Sequence, residues 1–171
     1  MRKISAIILT LTVALMLFLS ACAKEPESVI EIPDFTETMN MISEYEGSYA
    51  LFMNSQGNTV TRYESEGTTP LGLDCTAMYT AAPDGMYKNV AIVATRDGSE
   101  MHDEYFALSD DTMFVVRSYI SDGTVHIEKY LCVSGVLFGI DEANSTILPV
   151  ADVDSLDLYT DFTELETTYA P

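Results

Sequence analysis

Chemistry at a protein surface needs acids, bases, nucleophiles or metal ligands gathered at one place. The chain has two histidines, His102 and His126. Glu128 follows His126 at a spacing of two, and residues two apart on a strand share a face, so this pair is the nearest thing to an acid–base constellation, as a hydrolase would need. No G-x-S-x-G elbow and no H-E-x-x-H helix accompanies it. Without them, the pair reads first as a solvated strand face. Asp152, Asp154, Asp157 and Asp161 invite a calcium reading, but counting from Asp152 puts Leu156, Asp157 and Thr163 where an EF-hand loop needs an oxygen ligand, a glycine and a glutamate. No Cys or His pair has zinc spacing. The expectation is no catalytic residue, no metal and no cofactor. Cys75 shares a face with Leu71, Leu73, Ala77 and Tyr79, whereas Cys132 alternates with Leu131, so the two thiols are expected unbridged, the first buried and the second half-exposed.

A ligand pocket is the other kind of site within reach. The segments 87–94 and 113–120 carry apolar side chains at both odd and even positions, so something covers both faces of these strands. A helix can cover one side; the other becomes a packed core or an apolar hollow, and Met86, Val90, Ile92, Met113 and Val115 are the residues that would line it. Met53, Met78 and Met101 could add thioethers, which re-pack around varied ligands but more often fill core gaps.

The positioning elements follow from spacing. Asp34 and Glu37 have the form of a capping box, and Phe35, Met39, Ile42 and Tyr45 recur at helical intervals, predicting a short amphipathic helix over 34–46. Between residues 48 and 151, turn markers stand at Gly57-Asn58, Asp84-Gly85, Asp97-Gly98, Asp110-Asp111, Asp122-Gly123 and Ser134-Gly135. Such markers between alternating segments predict an antiparallel meander of about nine strands. In 124–133 the face of Val125, Ile127, Leu131 and Val133 is expected buried and that of His126 and Glu128 wet. Residues 152–171 read as irregular structure with a helical turn. The fold class is mainly β, a meander curled into a half-barrel or barrel with one N-terminal helix.

Charge narrows the partners. The chain has 27 acidic residues against 8 Lys and Arg, a net charge of −19. Phosphate binding needs Lys and Arg to replace counterions, so nucleic acid is excluded as a partner. The start is different in kind: Met1-Arg2-Lys3 leads into the mostly apolar run 4–19, which as a helix spans about 24 Å, short of a bilayer core of roughly 30 Å, and so reads as a signal peptide. Leu19-Ser20-Ala21-Cys22 resembles the lipobox of bacterial lipoproteins. The resemblance implies cleavage after Ala21, a diacylglyceryl thioether on Cys22 and acylation of the freed amine, typically by palmitate. Its organisation would then be a signal peptide over 1–21, a lipidated cysteine and acidic tether over 22–33, and a single β-rich extracytoplasmic domain over 34–171, held at the outer face of the cell membrane. Loss of Arg2 and Lys3 leaves 6 basic and 27 acidic residues in the mature chain, a net charge of −21. An anionic leaflet repels such a body, and cationic partners are favoured.

The order of lipobox, tether, helix and meander is also similar in outline to the LolA-like and LppX-like half-barrel carriers, whose concave apolar face holds lipid; a closed calycin-like barrel would read much the same. What the sequence supports is a non-enzymatic, membrane-anchored lipoprotein that binds an apolar or amphipathic ligand or an envelope protein. The alternative is an envelope hydrolase working from His126 and Glu128. Cys22→Ala should abolish lipid labelling and processing, followed by metabolic labelling and membrane fractionation; normal membrane retention of that variant would refute the anchor.

Overall fold

A computed structural model describes residues 30–57 and 59–171. Cys22, the segment 1–21 and most of the tether lie outside them; residues 30–33 carry no helix or strand, and Ile32–Pro171 is one compact unit. Among the described residues no helix is long and apolar enough to cross a membrane.

Helix α1 (Phe35–Gln56) starts where the capping pattern puts it: the Glu37 amide donates to the Asp34 carboxylate at 2.9 Å. It does not stop at Gly47. That glycine faces open space with nothing within 4 Å of where a Cβ would sit, so it costs only its propensity, roughly 1 kcal/mol. Continuing the helix brings Tyr49 and Phe52 onto the stripe of Thr38, Ile42 and Tyr45, where they meet Phe106 and Tyr87 at ring-centroid distances of 6.3 and 5.1 Å. Aromatic packing outweighs the glycine, and residues 48–56, expected to open the first strand, are helical.

The sheet therefore has eight strands rather than nine: β1 (Thr61–Thr68), β2 (Asp74–Ala81), β3 (Lys88–Arg96), β4 (Ser99–Ala107), β5 (Thr112–Ser121), β6 (Thr124–Val133), β7 (Val136–Asp141) and β8 (Thr146–Pro149). They form one antiparallel meander in sequence order, and β1 and β8 are its edges, so the sheet is open and not a barrel. Three of the markers are two-residue turns with both residues at positive φ: Asp97-Gly98, Asp122-Gly123 and Ser134-Gly135.

The register lays out two faces. On one, Phe106, Phe114, Leu131 and Phe138 form a row across β4 to β7, with α1 lying over its Phe106 end. On the other, Tyr79, Val90, Tyr105, Val115 and Tyr130 form the central row. This second face is covered by the C-terminal segment, which is more ordered than expected: a 3-10 turn (Asp154–Leu156) leads to helix α2 (Phe162–Tyr169). Leu158, Tyr159, Leu165 and Tyr169 enter the core there. Tyr159 and Tyr169 both donate to the Thr68 carbonyl at 2.8 Å, and the Tyr169 ring lies so close to Gly67 that a Cβ would sit 2.7 Å from it.

A buried ion pair anchors that cover. Arg117 and Asp103 face each other across β4 and β5, each 4% exposed, joined by two hydrogen bonds of 2.7 Å. The same guanidinium donates to the carbonyls of Leu156 and of Asp157, the latter at 3.2 Å. Asp157 in turn, with φ 57°, accepts from Thr69 Oγ1 at 2.8 Å and from the Leu71 amide at 2.6 Å, tying the β1–β2 loop to the same point. Asp103→Ala strands the guanidinium and should cost about 3–5 kcal/mol in urea denaturation. Asp103→Leu with Arg117→Met should recover part of this, leaving about 1–3 kcal/mol for the two carbonyls that lose their donor. A single-variant loss below about 1 kcal/mol, the size of a surface pair, would refute the anchor role.

Candidate functional site

The apolar face that a ligand would need is filled. Val90, Ile92, Met113 and Val115 lie in one core, between 0% and 3% exposed, under Leu158, Tyr159 and Leu165. Met86 is not with them: it is 65% exposed, in the β2–β3 connection. The methionines do not converge either, since Met101 shares the core face whereas Met78 lies on the face that α1 covers. Sequence alternation located the apolar residues of 87–94 and 113–120; it could not show that the C-terminal residues would occupy the space above them.

The two histidines point to opposite faces, because His102 pairs with Ser118 and His126 with Tyr119. His102 lies 2.7 Å from Glu100 in solvent. His126 stacks on Tyr119, with centroids 5.1 Å apart and planes at 13°. Glu128 does share the His126 face, as expected, but accepts from Tyr119 at 2.9 Å on one oxygen and from Tyr130 at 2.7 Å on the other. Its acceptor oxygens are directed at phenols, and through Tyr119 the carboxylate ties β6 to β5.

Cys75 and Cys132 are free, and both are buried. Cys132, expected half-exposed, is 2% exposed because residues 160–162 lie over the end of β6, and its thiol donates to the Thr160 carbonyl at 3.0 Å. The four C-terminal aspartates are scattered in role: Asp152 accepts from the Ser155 amide at 3.3 Å, Asp161 caps α2, Asp154 is exposed and Asp157 is in the anchor. Among the described residues no group of three Cys, His, Asp or Glu side chains is placed to hold a metal.

What the structure leaves open is a hairpin. β5 and β6 extend ten residues each, but β7 pairs only with the end of β6 from Lys129 to Val133. Residues 124–128 have β5 on one side and, among the described residues, no strand on the other. Alternation placed Val125 and Ile127 in the core. Instead they are each 63% exposed, and with Ile120 at 59% they make an apolar strip beyond the reach of α1. A legible signal existed, since β7 is too short to flank all of β6. Beside this edge, where β7 ends, lies an open notch of about 750 Å³ lined by Ile127, Lys129, Ile140, Leu148 and Pro149.

No family model, no curated protein and no solved structure matches the chain.

Burial also makes neutral side chains of the fold harder to ionise. Desolvation pushes the Cys132 thiol up from 9 to about 11, and burial together with the Glu166 carboxylate pushes the Tyr79 phenol up from 10 to about 12. Both groups are neutral when protonated, so the stability they contribute is complete below about pH 9 and is lost as pH rises through their folded values. Thermal denaturation should show a plateau to about pH 9 and a falling Tm between pH 9 and 12; a Tm flat across that window would contradict the assignment.

Proposed function

We propose that this chain is a lipoprotein of the extracytoplasmic membrane face, anchored through Cys22, whose β-rich body binds an envelope protein and performs no catalysis. One observation carries the choice of a protein partner over an apolar ligand: the face that could have been a hollow is filled by Leu158, Tyr159 and Leu165, while on the opposite face an apolar strip of the β5–β6 hairpin stands in solvent. An exposed apolar strip with a free strand edge is a surface that folded proteins ordinarily cover or charge unless it is used. The Glu128 carboxylate is engaged with Tyr119 and Tyr130 and the His126 ring stacks on Tyr119, which argues for a structural role there. The acidic surface favours a partner with a basic face.

A photo-cross-linking side chain placed at Ile127 in living cells should give one discrete adduct. Its envelope-protein partner, identified by mass spectrometry, should then bind the purified chain. The same group at Leu51, an apolar position 73% exposed on α1, should give none. One lipid molecule per chain in native mass spectrometry of gently purified protein would overturn the reading in favour of carriage.

A further inference from the structure

We propose that residues 124–128 of β6 receive an extended peptide segment as an added antiparallel strand, and that the segment is apolar at alternate positions with a basic residue at each end. The inference rests on the protein-binding reading above and names how and what the chain would bind.

The main chain supplies the first part of the argument. Where β7 stops, alternate amides and carbonyls of 124–128 face outward along the same line that β7 follows beside Lys129 to Val133. An added strand would continue that line, and the notch where β7 ends leaves room for it. Side chains supply the second part. Val125 and Ile127 project on one face beside Ile120, so a strand laid here buries its own apolar residues against theirs every second position.

Charge selects the occupant. Asp122, in the turn at one end of the edge, and Asp141, the last residue of β7 at the other, are both exposed. Asp141 is held in its charged form by the Asn144 side chain and amide, which keep its carboxyl below the usual range. Lys129, the lysine beside this end of the edge, is already bonded to Glu142 at 2.6 Å. Carboxylates therefore stand at both ends of a five-residue edge, roughly 17 Å long at 3.4 Å per residue. A Lys or Arg at each end of the incoming strand satisfies them.

A second copy of this chain is a poor occupant for the same reasons. If its β6 paired antiparallel with this one, with residue 124 of the copy opposite Glu128, its Asp122 would fall beside Tyr130. Gly139 of β7 already occupies that place, two residues from Asp141. In this register, which uses the whole free edge, the pairing collides with β7; registers shifted away from β7 shorten the ladder and still set two strongly acidic chains side by side.

The test uses the full chain and the peptide Lys-Val-Thr-Val-Thr-Val-Lys. Two controls keep its side chains but carry N-methyl groups on one or the other set of alternate amides, and a third replaces both lysines with glutamate. The lysine peptide should bind, weaken with salt, and slow amide exchange at 124–128. One N-methylated form and the glutamate form should bind about tenfold or more weakly, the loss of two or three main-chain bonds or of both end pairs. Ile127→Glu should lower affinity to a similar degree and Leu51→Glu should leave it unchanged. Equal binding of all peptides, protection elsewhere, or a concentration-dependent dimer protected at 124–128 without peptide would each overturn the proposal. Should the peptides fail while cross-linking from another surface still captures an envelope protein, this docking mode falls and the broader function stands.

Discussion

Three charged side chains lie inside this small fold, and the guanidinium of Arg117 ties the elements that carry them together. Arg117 neutralises Asp103 across two central strands and satisfies two carbonyls of the segment that passes over them, while Asp157 in that segment reaches back to the β1–β2 loop. Desolvation alone would push Asp103 toward its neutral form, and the guanidinium opposes this. A hydrophobic pair of the same volume could fill the space. It could not dictate which stretch of backbone lies above it, because apolar contact is non-directional and a planar fork of donors is not. The polar cluster thus sets the register of the C-terminal cover, and that cover decides whether the sheet encloses a hollow or a core.

Local rules made much of the fold legible. The Asp34 cap, the paired positive-φ turns and the meander order each depend on a few neighbouring residues, and each stands where the spacing put it. The errors arise where a distant contact overrides a local preference. Gly47 reads as a helix stop only until Tyr49 and Phe52 are seen against Phe106 and Tyr87. Residues 152–171 carry spacing that suits a helix only in part, and it takes Tyr105, Thr68 and Arg117, far away in the chain, to give Tyr159 and Leu156 their places.

The surface was less legible than the core. Alternation in β6 identifies two faces but not which half of the strand has neighbours, so Val125 and Ile127 look like core from sequence and stand in water in the structure. The reverse holds for Tyr130 and Cys132, whose polar-looking face is covered by residues from the end of the chain. Asp103 and Arg117 did leave a trace: each interrupts an inward-facing series, Asp103 between Met101 and Tyr105 and Arg117 between Val115 and Tyr119. A charge of each sign at such positions on consecutive strands signals a buried pair.

The Tyr169 hydroxyl closes on the carbonyl of Thr68 across 101 positions of sequence. The inner side of the sheet cannot be sealed before α2 has been made and docked, and until then Arg117, Tyr105 and the surrounding aliphatic residues stay wetted. Closure of this core therefore rests on a contact of very high sequence separation, so a molecule whose α2 fails to dock would keep a wetted trough along the sheet rather than a smaller version of the same interior.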